Sequence, residues 1–181
     1  NELKVASHDM QTGASNIKPF EYCYSTMSEN ELRIVYYPLD KYNDENLPPK
    51  KGTCHLVRKG GFKEKVHPAD SIQVDGLSHD EISKIFRRSE RFISYDDYTA
   101  YSTFAALCGC ESIVVPAKNV SKLAWYPREE QHYGIAFGFN EEELAWARGT
   151  VSDLKNKLRQ EDEQSFNNVK LFLDEVDRFF K

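Results

Sequence analysis

The stretch FISYDDYTAYSTFAALCGCESIVVP, residues 92–116 of a 181-residue chain, decides the fold. It opens on apolar residues that suit a buried strand. It then turns through two aspartates, an aromatic and a threonine, and stays apolar for the length of a helix. Gly109, between Cys108 and Cys110, suits the left-handed residue that follows a helix end. Residues 112–116 then form a second strand, almost wholly apolar, as parallel strands covered on both faces are.

Working outward, the same alternation repeats. TCHLVRKGG (53–61) reads as a strand running into a basic, glycine-containing turn, and SIQVDG (71–76) as a short strand. Ser78, with Glu81 three residues later, matches a capping box, and Ile82, Ile85 and Phe86 follow on one helical face. VSKLAWYPREE (120–130) reads as a short turn or helix and YGIAFGF (133–139) as a further strand. Asn140 before three glutamates makes a helix cap with an acidic first turn. ELRIVYYP (31–38) is also expected to be a strand, closed by its proline. The expected fold is therefore α/β: a doubly wound, mostly parallel, Rossmann-like sheet with helices on both faces and a long C-terminal helix. The expected divisions are a segment or linker at 1–30, the nucleotide-binding unit at 31–150, and an amphipathic helix at 151–181 packing on it. The apolar stripe of that helix is Leu154, Leu158, Val169, Phe172, Leu173, Val176 and Phe180.

Composition narrows the partners. Hydrophobic residues make up 40% and aromatics 13%, too apolar for a disordered chain. A net charge of -5 without a single-sign block argues against nucleic acid, although a local basic cluster can still hold an anion. No stretch approaches the ~20 apolar residues of a membrane helix, and none reads as a signal peptide. The four cysteines, Cys23, Cys54, Cys108 and Cys110, are expected as reduced, buried thiols. Cys108 and Cys110 lack a second pair at zinc-finger spacing, so no metal is expected. His79 reads as a first-turn helix residue and His132 as a surface residue.

In doubly wound sheets the ligand crevice lies beyond the carboxyl ends of the strands. Two polar turns fall there. At YDDYT, a helix starting near Tyr98 would point the amides of Tyr98, Thr99 and Ala100 at an anion, with the Thr99 hydroxyl as a further donor; alternatively Asp96 or Asp97 simply caps that helix. At RKGGFK, Arg58, Lys59 and Lys63 surround a glycine pair as a diphosphate site would, or form a solvated basic loop.

The segment YDDYTAYSTFAALCGC resembles the carboxyl-terminal, donor-binding half of GT-B glycosyltransferases, which carry roughly E-x-F-G-(x)4-E-A, a glycine and a PVV-like strand. Asp96 falls on the first acid, Tyr98 and Thr99 on the F-G pair, Ala105 on the alanine, Gly109 on the glycine and residues 113–115 on the strand. The likeness covers about residues 53–150. Phe104 departs from it, standing where many members have the glutamate that holds the ribose. Asp96 then takes the ribose, or the nucleotide lies differently. The resemblance implies transfer of a sugar from a nucleotide-sugar to a glycan or lipid-linked acceptor, as in surface polysaccharide synthesis. No cofactor is implied, and Arg58, Lys59, Lys63, Tyr98 and Thr99 would stabilise the phosphate without a metal. It also implies that the acceptor and the catalytic base belong to an N-terminal domain outside this chain, whose start at Asn1 reads as a carboxyl-terminal piece. A cytoplasmic place follows, with peripheral association at the inner face of the membrane through the full-length protein. His67-Pro68 and Ser102-Thr103 are similar to the HP and S-S/T pairs of CMP-sugar-dependent transferases of the sialyl or Kdo type, which would make His67 and Ser102 nucleotide contacts. A non-catalytic nucleotide-binding or interaction domain is the remaining alternative.

Overall fold

The computed structural model describes Leu32 and residues 34–180. The chain runs β1 (Thr53–Leu56), β2 (Ile72–Gln73), α1 (His79–Arg88), β3 (Arg91–Ser94), α2 (Ala100–Leu107), β4 (Glu111–Val114), α3 (Lys122–Trp125), β5 (Ile135–Phe137), α4 (Glu141–Gly149) and α5 (Val151–Phe179). The five strands form one all-parallel sheet in the order β2-β1-β3-β4-β5. Residues 38–157 make one compact unit, and the other described residues, Leu32, 34–37 and 158–180, are grouped as another. Among the described residues no helix is long and apolar enough to cross a membrane.

Local chemistry sets the element ends. Ser78 Oγ accepts from the Glu81 amide at 3.3 Å while Glu81 Oε2 accepts from the Ser78 amide at 2.9 Å, closing the expected capping box on α1. Asn140 Oδ1 caps α4 through the Glu143 amide. Gly109 ends α2 with φ +74°.

Strand side chains alternate between two faces. Phe92, Ser94, Ser112 and Val114 point to the face that carries α1, α2 and α3. Phe86 of α1 meets Phe92 edge to face, the Ser112 hydroxyl donates to the Ser102 carbonyl of α2, and Trp125 of α3 packs with Val114 and Ile135. His55, Ile93, Ile113 and Ala136 point to the other face, where Leu144 and Ala147 of α4 cover Ile113 and Ala136. Right-handed crossovers explain the split. The chain steps one way across the sheet through α1, α2 and α3. It steps the other way only between β1 and β2, and that connection crosses the opposite face. Phe86, Phe92, Ile93 and Ile113 are all but fully buried, and each such side chain contributes about 1.5–3 kcal/mol.

One expected strand is missing. Of residues 31–38, Glu31 and Arg33 lie outside the described residues, and residues 34–37 adopt no strand. Ile34 and Tyr36 are exposed there, so their β propensity finds no sheet edge to pair with. The Val35 amide donates instead to Ser165 Oγ of α5 at 2.9 Å, and the Tyr37 hydroxyl to Glu161 Oε2 at 2.7 Å. The expected stripe on α5 is buried at Leu154 and Leu158, partly covered at Val169, Phe172 and Val176, and exposed at Leu173 and Phe180.

Candidate functional site

The strand order reverses direction between β1 and β3, so the crevice of the sheet opens between their carboxyl ends. Arg58 follows β1 and Asp96 follows β3. Arg58 Nε lies 3.8 Å from Asp96 Oδ2; the guanidinium is 38% exposed and the carboxylate 7%. Among the described residues the guanidinium makes no hydrogen bond, so its donors are available to a ligand.

The turn that carries Arg58 is a 3-10 turn, Arg58–Gly60, fastened on two sides. From β2's end, Asp75 accepts the Val57 amide at 2.9 Å and the Arg58 amide at 2.7 Å. From β3's end, the Tyr95 backbone presses on Gly60 so closely that a Cβ there would lie 2.0 Å from the Tyr95 carbonyl oxygen. Only glycine fits this approach. Lys59 is exposed on the same turn.

Asp96 is fixed in turn. Its carbonyl accepts from the Ser94 hydroxyl at 2.7 Å and its Oδ1 from the Tyr98 amide at 3.3 Å. Thr99 is the N-cap of α2 and accepts the Tyr101 amide. The helix therefore starts two residues later than Tyr98, because Asp96 and Thr99 take up the first amides locally. No bond to the amides of Thr99 and Ala100 occurs among the described residues. In the first turn of α2, the buried Ser102 hydroxyl also has no partner.

Lys63 is placed differently from a ligand. Its ammonium bonds Asp97 Oδ1 and the Val115 carbonyl oxygen, each at 2.6 Å, so two of its three donors are taken internally. His67 and Ser102 are not brought together. Ser102 lies on the face of α2. On the opposite face His67 stacks on His55, ring centroids 3.7 Å apart, and its Nδ1 meets the Tyr95 hydroxyl at 2.8 Å. His132, expected at the surface, is buried instead. It is packed between the rings of Trp125 and Trp146 and accepts the Trp146 indole N–H at 3.2 Å, and burial together with Lys122 lowers its pKa.

The local pattern did not reveal Asp75, Tyr95 or Trp125, whose indole N–H donates to the Asp97 carbonyl at 2.7 Å. An acid just beyond a strand's carboxyl end, as in VDG, is the one signal from which Asp75 could have been found. Beside the site, Tyr98, Trp125, Tyr126 and Phe137 form an aromatic wall.

Two cavities lie elsewhere. One of about 420 Å³ is lined by Asp40, Asn43 and Arg87, whose guanidinium is bonded to Asn43 Oδ1 at 2.7 Å. One of about 370 Å³ holds Lys50, Cys110 and Gly134. Neither includes Arg58 or Asp96. Cys54, Cys108 and Cys110 are buried free thiols, and Cys23 lies outside the described residues. No group of three or more His, Cys, Asp or Glu side chains among the described residues is placed to hold a metal. Comparison with known protein families, with curated proteins and with solved structures finds no match to this chain.

Proposed function

We propose that this chain is the donor-binding half of a glycosyltransferase, holding the phosphates of a nucleotide-sugar at the β1/β3 crevice. The observation that carries the reading is the meeting of Arg58 with Asp96 beside the start of α2. The Thr99 and Ala100 amides, unbonded among the described residues, add neutral donors at the end of the helix that favours negative charge. The resemblance around residues 96–115 supports the same ligand class.

In the transfer, the bond between the anomeric carbon and the phosphate oxygen breaks. A bond to the acceptor oxygen forms, and the acceptor proton passes to a base. Negative charge grows on the leaving phosphate. A fixed guanidinium and helix-end amides stabilise that charge without reorganising. Arg58 and the Thr99–Ala100 amides are the groups placed to do this, with Lys59 able to approach from the same turn. Asp96 orients Arg58 or receives a ribose hydroxyl. The base and the acceptor are supplied by another domain in this reading.

Titration of the chain with UDP, GDP, dTDP and CMP tests it. One of them binds, and Arg58→Ala weakens that binding at least tenfold. Absence of binding by all four, in calorimetry and in thermal shift, overturns the reading in favour of an interaction domain. A second reading, nucleotide binding without catalysis, is favoured by Phe104. The resemblance aligns that residue with the ribose-binding glutamate, and its side chain is buried against Tyr42. Transfer activity of the full-length protein separates the two. The CMP-sugar reading draws no support from the placement of His67 and Ser102 on opposite faces of the sheet.

A further inference from the structure

We infer that Asp75 is a positioning residue, whose carboxylate holds Arg58 in the conformation that presents its guanidinium to the phosphate. The inference rests on the proposed nucleotide site. Arg58 has φ +36°, a left-handed backbone that non-glycine residues rarely adopt. Something must hold it there, and the contacts are specific. One carboxylate oxygen of Asp75 takes the Arg58 amide at 2.7 Å and the other takes the Val57 amide at 2.9 Å. Gln73 Nε2 donates to the carboxylate at 3.1 Å and fixes its rotation. On the far side Gly60 is pressed against Tyr95, so the turn cannot relax toward β3.

The charge state agrees with this role. Burial pushes the Asp75 carboxyl up, but the N–H groups of Val57 and Arg58 and the Gln73 amide outweigh burial and hold it below the usual carboxylate range. The carboxylate is therefore an acceptor only, matched to the two backbone donors and to Gln73. An asparagine would present an amide N–H to one of them. The turn would then lose its clamp, and Arg58 would return to an ordinary backbone conformation with its side chain aimed elsewhere.

The test is a double-mutant cycle, read by calorimetry with inorganic pyrophosphate, the group that nucleoside diphosphates share. Asp75→Asn is expected to weaken pyrophosphate at least fivefold in the wild-type background and to have no effect in the Arg58→Ala background. An equal loss in both backgrounds shows that Asp75 supports the fold generally, and overturns the inference. Unchanged affinity in Asp75→Asn, with Arg58→Ala weakened, also overturns it while leaving the site intact. Unchanged affinity in Arg58→Ala overturns the site itself. Should Asp75→Asn not fold, Gln73→Leu frees the carboxylate to rotate and carries the same cycle. A smaller loss that disappears with Arg58→Ala supports the inference, and no loss overturns it.

Discussion

Lys63 Nζ lies 2.6 Å from Asp97 Oδ1 and 2.6 Å from the Val115 carbonyl oxygen, with its side chain only 4% exposed. The loop after β1 is thereby tied to the carboxyl ends of β3 and β4. A buried ammonium must find such partners, because desolvation without them is prohibitive. Removing it leaves the Asp97 carboxylate and the Val115 carbonyl without their cation. Lys63→Met, which keeps the stem and removes the charge, is expected to cost about 3 kcal/mol in urea unfolding, the low end for breaking a buried pair since Asp97 retains some solvent. A cost below about 1 kcal/mol would place this pair among ordinary surface ion pairs.

Phe104 stacks on Tyr42, with ring centroids 4.4 Å apart and planes 11° from parallel. Both rings are buried. The position thus belongs to the packing between α2 and residues 38–50, and a glutamate there would be a buried, unpaired charge rather than a ribose ligand. Phe104→Ala is expected to destabilise by about 3–5 kcal/mol through the cavity it leaves. Phe104→Glu is expected to lower the melting temperature at least as much and to bring no gain in nucleotide affinity. Tighter UDP binding in a folded Phe104→Glu variant would refute this placement.

Most of the sheet was legible because its signals are local. Apolar runs, the Ser78–Glu81 box, the Asn140 cap and Gly109 each act within a few residues, and each appears where expected. Residues 31–38 misled because alternation and β propensity report a chain able to pair, not a neighbour to pair with. The site was only half legible for the same reason. Strand ends and helix starts placed Arg58, Asp96 and Thr99 on one edge. Whether a lysine is free depends on contacts far along the chain: Lys63 finds its carboxylate 34 residues away. His132 was misread likewise, since Trp146 approaches it from another element.

Gly60 and Gly61 look equivalent in the sequence and are not. A Cβ on Gly60 would meet the Tyr95 carbonyl oxygen, carbonyl carbon and Cβ at 2.0, 2.4 and 2.5 Å, all of them part of a strand end that cannot swing aside. One on Gly61 would meet only a Val57 methyl at 3.8 Å, and its backbone is in the right-handed helical region. Gly60→Ala is expected to cost at least about 3 kcal/mol, the upper range for overpacking. Gly61→Ala is expected to be neutral or to stabilise by about 0.4–1 kcal/mol, by restricting the unfolded chain. Equal melting temperatures for the two variants would contradict the close approach of β1's turn to β3.

Burial of His55, which stacks on His67, makes stability depend on pH. The Tyr95 hydroxyl lies 2.7 Å from the Val66 amide and 3.1 Å from the His67 amide, and it accepts from both, so its own proton goes to His67 Nδ1. His55 is buried, with Nδ1 on Ser71 Oγ at 2.8 Å. Burial is the main cause lowering its pKa, the facing His67 and Lys65 add to this, and Asp75 opposes it. A histidine kept neutral in the fold takes up a proton more readily when unfolded. Its contribution is therefore complete above the unfolded pKa of about 6.5 and is lost as pH falls below it. His132, also lowered by burial, acts in the same direction. The unfolding free energy is expected to fall between pH 7 and pH 5, by up to about 1.4 kcal/mol per pH unit for each of these two histidines. His55→Phe keeps a ring against His67 and removes one titrating group, so its pH slope should be smaller, by up to one proton. The same slope in wild type and His55→Phe would mean that His55 is not held neutral by the fold.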